Sequence, residues 1–178
     1  MMYAGKTGTW MTAALVLLMG MLTLAAEAAE NKIEDRAVTD AVEDELFVDQ
    51  AVPVNRLDIK TEKGIVTLSG TVRNLLAKER AAQIAATVKG VRAVVNMIHV
   101  APARARSDRV ITRDVRLTLL TDPATDSYEL KVKTEDGLVT LAGVVQSWQE
   151  KQLCARVAKG VRGVTGLKNN IEVQYEAD

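Results

Sequence analysis

Residues 57–70 read LDIKTEKGIVTLSG, and residues 130–143 read LKVKTEDGLVTLAG. In each, apolar and polar residues alternate on either side of a two-residue break, Lys63-Gly64 or Asp136-Gly137. Strict alternation is the period of a half-buried strand, so Leu57, Ile59 and Thr61 face one way while Asp58, Lys60 and Glu62 face the other. After the break Val66, Leu68 and Val72 resume the apolar side, which makes the stretch a hairpin. Asp-Gly is a favoured pair for a tight hairpin turn because both positions tolerate positive φ.

The two stretches belong to a longer duplication. At an offset of 73, Leu57–Val100 aligns with Leu130–Val173 without a gap, and 19 of 44 positions are identical. A period of 73 with two copies is too long for a solenoid, whose repeats run to about 20–50 residues, so each copy is a small domain. Ahead of each hairpin, Val38, Val42 and Leu46, matched by Ile111, Val115 and Leu119, recur every fourth residue and predict a short amphipathic helix. Behind it, Asn74 and the capping box Ser147-Trp148-Gln149-Glu150 each predict a helix start. The stripes of the helices that follow are Ala81, Ile84, Ala85 and Val88, and Cys154, Val157, Ala158 and Val161. Each helix is expected to stop at Gly90 or Gly163 as a C-cap glycine, and a last strand, Val94–Val100 or Leu167–Val173, closes the unit. The predicted class is α+β: two tandem αββαβ domains over residues 38–101 and 109–175, joined by a linker at 102–108. Each would be a three-stranded mixed sheet with two helices packed on one face. At about 65 residues without staples, each core is thin, and docking of one copy on the other is expected.

Residues 1–28 read as a signal peptide: Lys6, an apolar run from Trp10 to Leu24, then Ala26-Glu27-Ala28 at the expected cut. The run falls short of the roughly 20 residues that span a bilayer. No Cys lies near the cut, which closes the acylated-lipoprotein route, and the mature chain is expected to be soluble and periplasmic.

The whole chain has 178 residues, 23 Lys+Arg, 23 Asp+Glu, one His and one Cys. Zero net charge argues against nucleic acid as partner, since phosphate binding needs a basic surplus. One His and one Cys cannot build a zinc cluster or a disulfide framework. His99, alternating away from Ile98 and Val100, reads as a solvated strand residue, and Cys154, in the apolar stripe, as a small core hydrophobe. Gly64, Gly70, Gly90, Gly137, Gly143 and Gly163 are spaced as turn, strand and helix stop, not as a phosphate cradle. No catalytic residue, metal or cofactor is expected.

Binding is the remaining function. Residues 30–55 carry 8 acids and 2 bases, 56–100 carry 8 bases and 3 acids, and 101–116 carry five arginines against two acids. The basic middle would draw anionic lipid headgroups by about 1 kcal/mol per nearby cation; alternatively, the acidic start compensates it within the fold. Candidate contacts are Arg73, Lys78, Arg104, Arg106, Arg109, Arg113, Trp148 and Lys151. Trp148 would either rest at a membrane interface or cover the end of a core.

The segment 58–70, then Val72, an Ala-rich helix and Gly90-Val91-Arg92-Ala93-Val94-Val95-Asn96 resembles the BON domain, and 132–143 with Gly163, Val164 and Asn169 repeats the motif. The resemblance runs from about Thr39 to Val173. It implies a non-catalytic periplasmic protein that binds phospholipid surfaces and maintains the envelope under osmotic stress, with envelope proteins or exported clients of a chaperone or scaffold as the other partner class. It leaves the oligomeric state open.

Overall fold

The computed structural model describes residues 34–101, 104–125 and 130–174; the expected signal peptide lies outside them. The first domain runs α1 (Asp35–Val48), a 3-10 turn (Val54–Arg56), β1 (Leu57–Glu62), β2 (Ile65–Val72), α2 (Leu75–Thr87) and β3 (Ala93–Val100). The second repeats it as α3 (Asp108–Thr121), β4 (Lys131–Glu135), β5 (Leu138–Val145), α4 (Trp148–Gly160) and β6 (Gly166–Val173). Helix α1 thus starts ahead of residue 38, and α3 starts at the last residue of the expected linker.

Each domain is a three-stranded mixed sheet with its hairpin's second strand in the middle. β2 pairs antiparallel with β1 and parallel with β3, and β5 does the same with β4 and β6. The register puts Ile59, Val66, Leu68, Val72 and Ile98 on one face, where α1 contributes Val38, Val42 and Leu46 and α2 contributes Ala77, Ala81 and Ala85. The second core repeats this with Ile111, Val115, Leu119, Val139, Leu141, Cys154, Ala158 and Ile171. Cys154 is fully buried in it, and burial first, then the neighbouring Glu150 charge, pushes its thiol up to about 11. His99 lies exposed on the opposite face.

Identical polar devices brace both copies. Asp35 takes the N–H groups of Lys63 and Gly64 at 2.6 and 2.8 Å, and Asp108 takes those of Asp136 and Gly137 at 2.9 Å each. The turn residues adopt positive φ, 52° and 75° in one copy and 50° and 77° in the other, which turns those N–H groups toward the carboxylate at the helix start. Thr39 pairs with Thr61 and Thr112 with Thr134, both at 2.8 Å. Asn96 ties its edge strand to α2 by donating to the Lys78 carbonyl at 2.8 Å, and Asn169 does so with Lys151 at 3.2 Å. Gly70 allows β2 to pass against the 3-10 turn, where a Cβ would collide with the Arg56 carbonyl.

One expectation is corrected. Helices α2 and α4 end at Thr87 and Gly160, not at the glycines three residues on. Val88 and Val161 are the C-caps, in extended conformation, with N–H groups bonded to the Ala85 and Ala158 carbonyls. Gly90 and Gly163, at φ 97° and 92°, belong instead to the next turn, closed by Val91 N–H on Val88 O and Val164 N–H on Val161 O, which feeds the last strand. The N-caps stand as predicted: Asn74 accepts from Ala77 N–H and Ser147 from Glu150 N–H.

The domains touch through α2 and α4. Asn74 Nδ2 donates to the Gly160 carbonyl at 2.7 Å, Gly163 N–H donates to the Arg73 carbonyl at 3.0 Å, and Glu79 pairs with Lys159 at 2.8 Å. Leu75 packs against the second core.

Candidate functional site

Helix α3 buries Ile111, Val115 and Leu119, a stripe of every fourth residue. About 145° around the helix from the centre of that stripe, at i, i+4, i+7, i+8 and i+11, stand Arg109, Arg113, Arg116, Leu117 and Leu120. These five, with Thr112, line one shallow groove. Leu117 is 58% exposed and Leu120 50%, far more than the core requires. Arg113 bonds Asp114 at 2.9 Å yet leaves 71% of its side chain in solvent, and Arg116 reaches back to the Val132 carbonyl at 3.4 Å. The face therefore presents guanidinium groups around two uncovered leucines, an arrangement that can engage anionic groups at the edge of an apolar phase.

The same face of α1 is built differently. The positions 73 residues earlier are Arg36, Asp40, Glu43, Asp44 and Phe47, so one helix face is basic and its twin acidic.

The structure distributes the other sequence candidates. Arg104 is exposed in the segment before α3. Arg106 turns inward, where it forms an ion pair with Asp114 and keeps only 24% of its side chain exposed, with Nε buried and unpartnered. It serves the packing of the connector against α3. Arg73 lines a groove at the domain junction with Leu76, Gly160 and Arg162. Lys78 and Lys151 are half-buried, their carbonyls engaged by the strand asparagines. Trp148 is 67% exposed at the first turn of α4. Of the candidates, Arg109 and Arg113 share the α3 face.

Three residues of that face, Arg116, Leu117 and Leu120, were not singled out as contacts by the sequence. Their helical phase, opposite the Ile111-Val115-Leu119 stripe, was the signal available. Asp35 and Asp108 were also missed, although extending the 73-residue offset upstream finds Asp35-Arg36 matched by Asp108-Arg109 and Thr39 by Thr112.

Between α3 and α4 lies an open groove of about 770 Å³, lined among others by Leu117, Asp122, Leu153, Arg156 and Val157. The corresponding groove of the first domain is crossed by an ion pair between Arg80 and Asp49. There burial alone would raise the Asp49 carboxyl, but the Arg80 hydrogen bond and charge and the N–H groups of Ala51 and Val52 outweigh it and hold it below 3.8. Among the described residues no three His, Cys, Asp or Glu side chains are grouped to hold a metal ion, and no helix is long and apolar enough to cross a membrane.

Comparison with known proteins finds the BON domain at residues 34–102 and again at 107–175. The chain is 32% identical over 150 residues to osmotically-inducible protein Y of Escherichia coli, covering 81% of this chain and 75% of that one. It is 30% identical over 142 residues to a 21 kDa hemolysin of Actinobacillus pleuropneumoniae, covering 77% and 73%. To the outer membrane lipoprotein DolP of Haemophilus influenzae it is 29% identical over 151 residues, covering 83% and 72%.

Proposed function

Since the chain belongs to the BON domain family, with two copies of the domain in tandem, we propose that it is a non-catalytic periplasmic protein that attaches to anionic phospholipid surfaces of the envelope under osmotic stress. The names of two relatives, one osmotically inducible and one an outer membrane lipoprotein, support the setting. The observation that carries the reading is the outward face of α3. Arg109, Arg113 and Arg116 sit around Leu117 and Leu120 on one side of a helix whose other side is fully committed to the core. Headgroup phosphates would take the guanidinium groups, and the leucines would enter the acyl boundary.

Vesicle co-sedimentation tests this. The purified protein is expected to bind anionic vesicles, to ignore zwitterionic ones, and to be released as salt rises. At about 1 kcal/mol per cation near the surface, the triple variant Arg109→Gln/Arg113→Gln/Arg116→Gln should bind roughly 100-fold more weakly. Binding indifferent to lipid charge and ionic strength would end the proposal.

A second reading, a chaperone or scaffold for exported proteins, is favoured by one feature. The open face of the first sheet exposes Ile65, Val95 and Met97, the last at 57%, beside the outer edge of β3, which pairs with no other strand among the described residues. An unpaired edge with apolar neighbours suits capture of an extended client strand. Retention of an unfolded exported protein by the purified chain, and its loss in Met97→Lys, would support this reading over the first.

A further inference from the structure

The contact between the two domains uses one end of each. The first domain supplies the start of α2: the Arg73 carbonyl, the Asn74 amide, Leu75 and Glu79. The second supplies the end of α4 and the turn beyond it: Lys159, the Gly160 carbonyl and Gly163 N–H. Because the domains are copies, each possesses both ends, and this contact consumes only one from each. Left over are the start of α4, with Gln146, Ser147, Trp148 and Gln149, and the end of α2, with Ala86, Thr87, Val88 and Gly90.

Solvent exposure separates the used ends from the unused ones. Leu75 is half-buried, whereas Trp148, its counterpart, is 67% exposed, and Asn74 and Leu76 are half-buried where Ser147 and Gln149 are exposed. At the other end Val161 is 8% exposed, Val164 is at 0% and Gly163 is buried, while Val88, Val91 and Gly90 are all partly open. The second core has Leu75 of the first domain packed on it; among the described residues, no partly buried apolar side chain of the second domain packs on the first core.

We propose that the chain associates head to tail with further copies of itself, the start of α4 in one copy seating on the end of α2 in the next. The template for this contact is the junction already present inside each chain. In the seated arrangement Trp148 takes the place of Leu75, offering a larger apolar surface to the open end of the first core. The Ser147 hydroxyl replaces the Asn74 amide as donor to the Thr87 carbonyl, and Gly90 N–H meets the Gln146 carbonyl. Gln152 stands opposite Ala86 where Glu79 meets Lys159, so the ion pair is lost and no like charges are brought together. Two different patches meet, so the association is heterologous and does not stop at two. Within a chain the connector holds the ends at an effective concentration on the order of millimolar, and between chains nothing does. Association is therefore weak, and favoured where copies are crowded on a surface.

Sedimentation velocity on the purified protein, from about 10 μM to about 1 mM, the range in which an untethered contact of this kind should form, reads the outcome. The average mass is expected to climb continuously past that of a dimer. Trp148→Glu and Ala86→Glu alter exposed residues at opposite ends, and each should fold normally while weakening growth at least tenfold. Mixed in equal amounts, the two variants each retain the end the other lacks, so they should form a dimer and go no further. The proposal fails if the wild-type protein stays monomeric throughout. It also fails if it forms a dimer that either variant leaves intact, or if the mixture does not recover the dimer.

Discussion

The two domains share a backbone plan, a turn-holding aspartate, a threonine pair and a strand asparagine, yet differ in nearly everything they show to solvent. On the outer face of the first helix, Asp40, Glu43 and Asp44 in one copy stand where Arg113, Arg116 and Leu117 stand in the other. On the open face of the sheet, Val95, Met97 and His99 become Lys168, Asn170 and Glu172. In the helix groove an Arg80–Asp49 pair in one copy becomes an uncrossed groove containing Leu153 and Asp122 in the other. Positions that set the fold are alike in both copies and positions that face solvent differ, so the duplication separates scaffold from surface inside one chain.

The largest effect expected from breaking this comparison is in the cores. Leu68 and Leu141 are counterparts, both fully buried on the central strand. Truncating either to Ala should cost about 2–5 kcal/mol. The consequences should differ, because the first domain covers the second core through Leu75 whereas, among the described residues, the first core has no such apolar cover from the second. Leu68→Ala should lower amide protection in both domains, and Leu141→Ala chiefly in the second. Hydrogen exchange read residue by residue decides it; protection lost only in the mutated domain in both variants would mean that the junction contributes no stability.

A smaller effect isolates that junction. Leu75→Ala should destabilise the second domain by about 1–2 kcal/mol, since a partly buried leucine is removed from a core it does not belong to in sequence. Trp148→Ala at the equivalent position should change stability by less than about 0.5 kcal/mol at dilute concentration, as expected for an exposed side chain. Denaturant melts of the two variants side by side give the contrast. Equal losses would show Trp148 to be held by its own domain.

How much of this could be read from the sequence follows from what each feature depends on. The strands, turns and N-caps were legible because they are local: alternation around Lys63-Gly64 and Asp136-Gly137, and Asn74 and Ser147 placed ahead of apolar stripes. The helix ends were misplaced because a positive-φ glycine marks a turn without saying whether the turn caps a helix or begins a strand. Arg109 and Arg113 were legible as cations, but their company with Leu117 and Leu120 follows from helical phase relative to the core. The inward turn of Arg106 depends on where the connector lays it beside Asp114, eight residues on, and no local pattern encodes that. Nor could sequence say that the start of α2 would be covered and the start of α4 left open, since the two copies carry similar caps there.

The smallest effect concerns the groove pair, and it is visible only in acid. Asp49 is held below 3.8 in the folded state by Arg80 and two backbone N–H groups. A carboxyl lowered on folding adds stability that is fully present above its unfolded value and is lost as pH falls through its folded one, so the first domain should lose this contribution below about pH 4. Arg80 is half in solvent, which limits the pair to under about 1 kcal/mol. The second domain has Leu153 at the arginine position, so Arg80→Leu makes the first groove resemble the second. That variant should lose a few tenths of a kcal/mol at pH 7 and show a shallower decline between about pH 5 and pH 2 than the wild-type protein. Urea unfolding at a series of pH values measures both slopes. An unchanged slope would assign the lowered Asp49 carboxyl to the Ala51 and Val52 N–H groups alone, and with it the difference between the two grooves would be one of shape and not of charge.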